Sequence, residues 1–240
     1  QAYLSYNIND RLKITAGKWG THLGYELLDA PLNRNYSMSY GFSYGPFFHT
    51  GVKADYALSA KSNVMIGVAN PTDFVTTKST TKVILAQFST KLFNDITTLY
   101  VNFLGGNTGG DNNFNQFDVV MVNTISPKWA INYNGTLYSA NNNGKKSSWK
   151  SNALYVNYDP TSKIGISYRS EYFDDKKALT AVPTGASVFA NTLSLNLKYK
   201  KCILIPEIRT DNAKTNLFYT SNGNSIGNST SFILAFIYKL

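Results

Sequence analysis

Apolar and polar residues alternate one by one along almost the whole chain, and this alternation is the main structural signal in the sequence. It is cleanest in Asn191–Lys200, where Leu193, Leu195, Leu197 and Tyr199 alternate with Thr192, Ser194, Asn196 and Lys198. A period of two is typical of a β-strand with two different faces. About thirteen such segments follow one another, separated by turn residues. The pattern therefore predicts an all-β chain, with a single short helical turn at His22–Asp29.

The connections between the predicted strands alternate in length. Short turns at Asn9-Asp10, Ser126-Pro127 and Asp159-Pro160 are interleaved with long loops, of which Gly105–Asn115 and Asn141–Ser147 are two. Outer-membrane barrels have short periplasmic turns and long extracellular loops. We therefore predict a transmembrane antiparallel up-and-down β-barrel, one domain over residues 1–240, integral to the bacterial outer membrane and surrounded by its lipid. A soluble sandwich or propeller is the alternative, but it gives no reason for one-sided loop lengths.

The predicted strand count is odd. Short periplasmic turns make both the first and the last predicted strand run inward, and a barrel with both termini in the periplasm needs an even number of strands. We therefore expect that one or more N-terminal strands are missing, and that the complete barrel has fourteen or sixteen strands, enough for a water-filled lumen. The sequence opens on a strand and not on a signal peptide, which also suggests a start inside a longer protein. The aromatic final strand ending at Leu240 predicts a native C-terminus.

Composition supports the membrane hypothesis. Hydrophobic residues make up 43% of the chain and aromatic residues 14%, yet the mean hydropathy is only −0.22. The apolar residues are spread along every strand and not concentrated in a core, as expected when one face meets lipid and the other meets water. No run of 18 apolar residues exists, which excludes a transmembrane helix. A single cysteine, Cys202, excludes an internal disulfide and a cysteine-based zinc site.

The stretch Gly17–Val52 resembles neither a simple strand nor a tight turn. It is rich in glycine and aromatic residues, and such a loop seldom extends freely into water. We predict that residues 18–46 are a long loop folded into the lumen, where they narrow the pore. The constriction residues predicted on this basis are Tyr25, Glu26, Asp29, Arg34, Tyr36 and Tyr40. The alternative is a loop that packs against the barrel wall and serves stability alone.

Strand parity also predicts which charged residues line the lumen. These are Lys13, His49, Lys53, Asp55, Arg169, Glu171, Lys198, Glu207 and Arg209. With a net charge of +9 and a pI of about 9.4, this set favours a pore with a weak anion preference. The alternative is that opposite charges pair across the wall while most lysines lie in turns and loops. Nucleic-acid binding is not expected, because the basic residues are scattered and form no binding motif.

The sequence offers little support for an enzyme or a metal site. His22 and His49 are the only histidines, with Ser37, Ser39 and Ser43 between them, but no nucleophile motif is present. The histidines together with Glu26 or Asp29 show no metal-binding pattern. Asp111, Asn112 and Asn113 could ligate Ca²⁺ through loop oxygens, but turns use the same residues. We therefore predict no catalysis, no metal and no cofactor.

Three parts of the Gly17–Val52 stretch carry a resemblance to a known family. They are GKWGTHLGYE (residues 17–26), DAPLNRNYS (29–37) and GPFFHTGV (45–52). This block resembles the β-barrel porin family described as OmpL-like, found in the outer membranes of Bacteroidota. The resemblance implies a single-chain outer-membrane barrel, and it names no solute. Together with the predicted constriction and luminal charges, it favours a porin for passive diffusion of small hydrophilic solutes. The alternative function is a closed barrel that serves as a structural or partner-binding subunit, as a homo-oligomer or in an envelope protein complex.

Overall fold

The computed structural model describes residues 1–78, 80–109, 112–175, 177, 179–180 and 185–239. Thirteen strands form one antiparallel sheet, in which each strand pairs with the next one along the chain. The strands are β1 Ala2–Asn7, β2 Leu12–Gly20, β3 Phe48–Ala57, β4 Ser62–Ala69, β5 Val83–Leu92, β6 Thr97–Gly109, β7 Asn112–Thr124, β8 Trp129–Asn142, β9 Lys145–Thr161, β10 Ile164–Asp174, β11 Ser187–Tyr199, β12 Cys202–Ala213 and β15 Asn228–Tyr238. A small hairpin of β13 Phe218–Tyr219 and β14 Ser225–Ile226 lies between the last two.

The predicted all-β architecture is confirmed. Because residues alternate between apolar and polar along each strand, the sheet has one apolar and one polar face. On one face of the sheet large apolar side chains are exposed, among them Phe232, Leu234 and Phe236 on β15. On the other face polar side chains are buried, as Ser167, Ser194 and Thr192 illustrate. This distribution is the inverse of a soluble core and suits a strand with one face toward lipid. We call the face with the buried polar residues the inner face.

The connections at one end of the sheet are all short: residues 8–11, 58–61, 93–96, 125–128, 162–163 and 200–201. The opposite end, which we call the loop end, carries the longer connections 21–47, 70–82, 175–186 and 214–227. The predicted loops at Gly105–Asn115 and Asn141–Ser147 are wrong. β6 and β7 stay paired as far as Asn107↔Asn113, and β8 and β9 as far as Asn142↔Lys145. Asp111 and Leu240 lie outside the described residues.

The β8–β9 connection shows why the loop prediction failed. Asn143 and Gly144 form its two-residue turn, with φ of 51° and 81°. An Asn-Gly pair with positive φ at both positions matches the right-handed twist of paired strands and closes a hairpin tightly. The polar residues on either side then continue the ladder, because backbone hydrogen bonds do not require apolar side chains. A polar strand and a polar loop can therefore have the same composition, and the loop prediction fails here.

The predicted helical turn at His22–Asp29 is also wrong. The short helices lie instead at Ala30–Leu32, a 3₁₀ turn, and at α1, Tyr40–Ser43. Ser39 caps α1, since its side chain accepts a hydrogen bond from the backbone N–H of Phe42 at 3.1 Å. Among the described residues no helix is long and apolar enough to cross a membrane, a result that does not bear on crossing by β-strands.

Glycines on the inner face allow β3 and β4 to approach very closely. Gly51 pairs with Ala69 of β4, and a Cβ placed on Gly51 would lie 2.2 Å from the carbonyl oxygen of Val68. No other residue fits there without moving backbone. A glycine at such a point permits a sharp bend in a sheet, as is common at the corners of barrels.

Candidate functional site

The connection between β2 and β3, residues 21–47, packs against the inner face of the sheet, and we call it the inner segment. The predicted loop covers residues 18–46, whereas in the structure β2 continues to Gly20 and the connection begins at residue 21. The inner segment contacts eight consecutive strands, β5 to β12. One partner from each, in strand order, is Gln87, the Phe103 carbonyl, Asp118, Asn134, Tyr155, Arg169, Ser194 and Glu207. The sheet therefore holds the segment along most of its width.

Carboxylates bind the backbone of the inner segment in pairs of N–H groups. Glu207 accepts hydrogen bonds from Tyr36 N at 2.7 Å and Ser37 N at 2.9 Å. Glu171 does the same for Tyr40 N at 2.8 Å and Gly41 N at 2.7 Å. Buried backbone N–H groups in irregular structure need partners, and a charged acceptor gives stronger hydrogen bonds than a neutral one. The inner segment is thus fixed without a regular ladder of its own.

A third carboxylate repeats this arrangement where the segment meets β3. Asp73, in the β4–β5 connection, accepts from Phe47 N at 2.8 Å and Phe48 N at 2.9 Å. Asp118 of β7 binds the first part of the segment, since it accepts from Gly24 N at 3.0 Å. Such side-chain acceptors replace helical carbonyls in residues 22–29. Gly24 N and Tyr25 N donate to Asp118 and Asn134 of the wall. Leu23 N and Leu27 N donate to Thr21 Oγ1 and Asn33 Oδ1 of the same segment.

Glu26 and Arg169 form a buried ion pair at the centre of this interface. Arg169 Nη1 lies 2.6 Å from Glu26 Oε1, and the side chains are 0% and 5% exposed. Glu26 also accepts from Ser39 N at 2.8 Å and Ser39 Oγ at 2.9 Å, while Arg169 also donates to the Ser37 carbonyl at 2.6 Å. Both charges therefore have several partners, which a buried ion pair requires to be stable.

Burial also affects the titratable side chains of the inner segment. Burial raises the pKa of the Tyr40 hydroxyl far above its ordinary value, and raises the pKa of Tyr25 and of Tyr44 as well. Arg209 packs its guanidinium 5.0 Å from the centre of the Tyr40 ring. Burial lowers the pKa of His22 to about 4. The three tyrosines and His22 are therefore uncharged at neutral pH, which suits their largely dry surroundings.

Two carboxylates nearer the short-turn end each lie between two cations. Asp55 is 3.3 Å from Lys53 Nζ and 3.9 Å from Lys13 Nζ. Asp159 receives two hydrogen bonds from the Arg34 guanidinium, at 2.7 and 2.8 Å, and lies 3.6 Å from Lys198 Nζ. Each group contains two cations and one carboxylate, so it has an excess of one positive charge. The lysines of both groups remain partly exposed, whereas the charges near Arg169 are buried.

The six predicted constriction residues divide into two sets. Tyr25, Glu26, Arg34 and Tyr40 contact the wall: Tyr25 OH accepts from Asn132 at 2.8 Å, and the others have the partners given above. Asp29 and Tyr36 have exposed side chains, with Tyr36 43% exposed. The nine predicted luminal residues all lie on the inner face. His49, Arg169, Glu171 and Glu207 are buried there and Arg209 largely so, while Lys13, Lys53, Asp55 and Lys198 are partly exposed.

The histidines and serines considered for catalysis bind other groups. His22 Nε2 lies 3.1 Å from the Phe103 carbonyl oxygen and His49 Nε2 lies 3.2 Å from Thr21 Oγ1. Ser39 Oγ donates to Glu26. In the described part of the chain, no group of three or more His, Cys, Asp or Glu side chains is placed to hold a metal ion.

Sequence reasoning missed several wall residues that hold the inner segment. Asp118 accepts from Asn102 and Thr136, both at 2.7 Å, besides Gly24. Strand parity could have found it, because it stands on the polar side of β7. Asp159 lies near the end of β9, and the sequence indicates only a turn there. Nothing in the local sequence marks Asp73, whose partners lie about 25 residues away, at the end of the inner segment and the start of β3.

Comparison with known proteins agrees with this architecture. The family model described as beta-barrel porin-2, OmpL-like, matches residues 1–240. OmpT, an outer membrane protein of Vibrio cholerae, superposes with a TM-score of 0.61 at 13% identity, over 97% of this chain and 84% of that one. The outer membrane channel DcaP of Acinetobacter baumannii gives a TM-score of 0.56 at 13% identity, over 94% and 71%.

At such identities these structures show the fold alone, and a search of curated proteins found no match. The family model supplies the identity, because it covers the whole sequence, and the phylum expected from the resemblance stays a prediction. The chain is an all-β, outer-membrane β-barrel protein, and it belongs to the beta-barrel porin-2, OmpL-like family.

Proposed function

We propose that this porin mediates passive diffusion of small hydrophilic solutes, and that the inner segment sets the size limit. The observation that carries the proposal is the asymmetry of the segment. One side is bound to strands β5 to β12, whereas the other side exposes a second group of residues: Leu27, Leu28, Asp29, Leu32 and Tyr36. A segment held so firmly on one side acts as a fixed obstacle, and solutes pass along its free side.

A cavity on that free side supports this route. Its volume is about 480 Å³, and it lies between the inner segment, Gln1 and strands β2 and β3, with Trp19, Leu28, Asp29 and Phe48 in its lining. In this proposal Asp29 and Tyr36 meet the solute directly. Tyr25, Glu26, Arg34 and Tyr40 fix the constriction from behind. This narrows the constriction predicted from sequence to the two residues with free side chains.

Two charged groups nearer the short-turn end of the inner face favour anions weakly. Lys13 and Lys53 share one carboxylate, Asp55, and Arg34 and Lys198 share another, Asp159. Each set therefore has an excess of one positive charge. Pore-lining charge of one sign concentrates ions of the opposite sign. The preference is weak because the carboxylate in each group neutralises half of the charge of the two cations.

Single-channel recording in a planar bilayer under a potassium chloride gradient tests this function. We expect stable conductance steps and a reversal potential shifted toward that of chloride. Changing Lys13 and Lys53 to Gln should remove most of the shift, whereas Lys200→Gln at an exposed turn serves as the matched control. Folded protein without any conductance would refute the diffusion function. Equal reversal potentials in the double variant and the control would refute the role of these lysines.

A second candidate function is a closed barrel that acts as a structural or partner-binding subunit of an outer-membrane complex. The dry contact between the inner segment and the wall favours it, because only about 10 Å³ remains free between Leu23–Gly24 and the side chains of Asp118 and Thr136. Absence of conductance together with co-purification of a second protein, or a stable homo-oligomer, would support this candidate over the pore.

A further inference from the structure

A second cavity opens at the loop end of the sheet, away from the proposed solute route. Its volume is about 400 Å³, within the range of small-molecule sites. The inner segment contributes Tyr44 and Pro46, the β4–β5 connection contributes Pro71 to Phe74, and strands β6 to β9 form the wall. Leu179 and Thr180 of the connection 175–186 complete the lining, so four separate parts of the chain converge on one space.

The wall of this cavity is aromatic and rigid. Phe114 of β7 and Tyr138 of β8 stack with ring centroids 5.6 Å apart and an interplanar angle of 16°. Tyr138 and Trp149 of β9 stack at 5.6 Å and 3°, and Trp149 packs on Phe173 of β10 at 5.5 Å. Rings that stack in this way hold one another in place. The apolar wall is therefore formed before any ligand arrives.

Polar groups without protein partners line the same space. Thr72 Oγ1 is buried and has no hydrogen-bond partner within the described residues. Gln116 is only 2% exposed, and among the described residues neither its amide nor the Tyr138 hydroxyl takes part in a side-chain hydrogen bond. Buried polar groups in a native protein are normally paired. Thr72 Oγ1 is such a buried, unpaired group, and Gln116 and the half-buried Tyr138 add an amide and a hydroxyl, so the cavity offers several hydrogen-bonding groups to a ligand.

The charge of the lining points to a neutral ligand. The carboxylate of Asp73 is already bound by two backbone N–H groups, Phe47 and Phe48. Gln116 contributes an amide to the lining, and Thr72 and Tyr138 contribute hydroxyl groups. Phe114, Tyr138 and Trp149 contribute aromatic rings. Amide and hydroxyl groups both donate and accept hydrogen bonds, so they suit hydroxyl groups on the ligand.

The floor of the cavity is closed. Beneath it the inner segment packs on Gln116, Asp118 and Thr136, and the space left is about 10 Å³, which is at most room for one water. A solute that enters this cavity must leave through the same mouth. The cavity is therefore built to retain a molecule and not to conduct it.

We propose that this cavity is a binding site for a neutral saccharide. The apolar face of a sugar ring packs against the aromatic wall, and its hydroxyl groups bond to Gln116, Tyr138 and Thr72. The site goes beyond diffusion, because it concentrates one class of solute at the loop end of the barrel. It does not depend on whether the lumen conducts.

Fluorescence titration of the folded full chain in detergent tests the proposal, with D-glucose and maltose as probes. Trp149 lines the cavity, whereas Trp19 and Trp129 lie elsewhere, so binding should change a signal that Trp149→Phe removes. Tyr138→Phe and Thr72→Val should each raise the Kd about threefold to tenfold, the effect of one lost hydrogen bond. Tyr219→Phe, on the exposed β13, should leave the Kd unchanged.

Several results would overturn the site. One is the absence of any saturable signal, and of any heat in calorimetry, with both sugars. Another is an unchanged Kd in both hydroxyl variants. Saturation by benzyl alcohol but by neither sugar would overturn the ligand class. The titration measures no current, so its failure is separate from a failure of the diffusion function.

Discussion

Arg169 and Glu26 are 143 residues apart in the chain, yet Arg169 Nη1 and Glu26 Oε1 lie 2.6 Å apart in a fully buried contact. This pair joins the inner segment to β10. Arg169 also donates to the Ser37 carbonyl and to Thr192 Oγ1, so one side chain links the segment at two points to two strands. Releasing it should therefore affect both the stability of the barrel and the size of the pore.

Arg169→Met should destabilise the protein by about 3–5 kcal/mol, because it leaves the carboxylate of Glu26 buried without its cation. The segment should also loosen, and the single-channel conductance should rise. Urea unfolding followed by tryptophan fluorescence measures the first effect and bilayer recording the second. Arg11→Met, at an exposed position, is the control.

The double variant Arg169→Met with Glu26→Met separates the ion pair from other contacts of Arg169. Removing both charges should be less destabilising than removing the arginine alone, since no unpaired charge then remains. A double variant as unstable as the sum of the single variants would contradict this account.

Glu207→Gln should weaken the second attachment of the inner segment. A carboxylate binds Tyr36 N and Ser37 N with two acceptor oxygens, whereas an amide offers one oxygen and a donor that repels an N–H. The expected loss is about 1–3 kcal/mol for the lost charge-assisted hydrogen bond. Hydrogen exchange should become faster at residues 36 and 37 and stay unchanged at Phe47 and Phe48, which Asp73 binds. Equal acceleration at both places would indicate general unfolding instead.

The strands and their faces could be predicted from the sequence, whereas the position of the inner segment could not. Period-two alternation depends only on neighbouring residues, so it is enough to assign Glu171, Glu207 and Arg209 to the polar face of their strands. The partner of each residue depends on contacts far along the chain, as with Arg34 and Asp159, which are 125 residues apart. Local sequence also cannot distinguish a polar strand from a polar loop, which is why residues 141–147 were predicted wrongly.

Gly51→Ala should impair folding of the barrel. The added Cβ would lie 2.2 Å from the Val68 carbonyl oxygen and 2.6 Å from the Ala69 Cα. Both atoms belong to backbone, so the β3–β4 pair must separate. Gly20→Ala is the matched control, because its Cβ would meet only the Gln1 side chain, at 3.7 Å. Heat-dependent mobility on gels should show less folded barrel for Gly51→Ala alone. Equal yields of both variants would rule out the close approach at Gly51.

Acidification should destabilise the inner segment through His22, whose pKa burial lowers to about 4 from 6.5. Between these values the unfolded chain binds a proton that the folded chain does not. Stability is therefore complete above pH 6.5, falls as the pH drops, and levels off near pH 4, with a total loss on the order of 3 kcal/mol. Asp118 opposes this shift and Lys53 favours it. Urea unfolding between pH 7.5 and 4 should show a smaller loss for His22→Gln. The same pH dependence in both proteins would assign the loss to other groups.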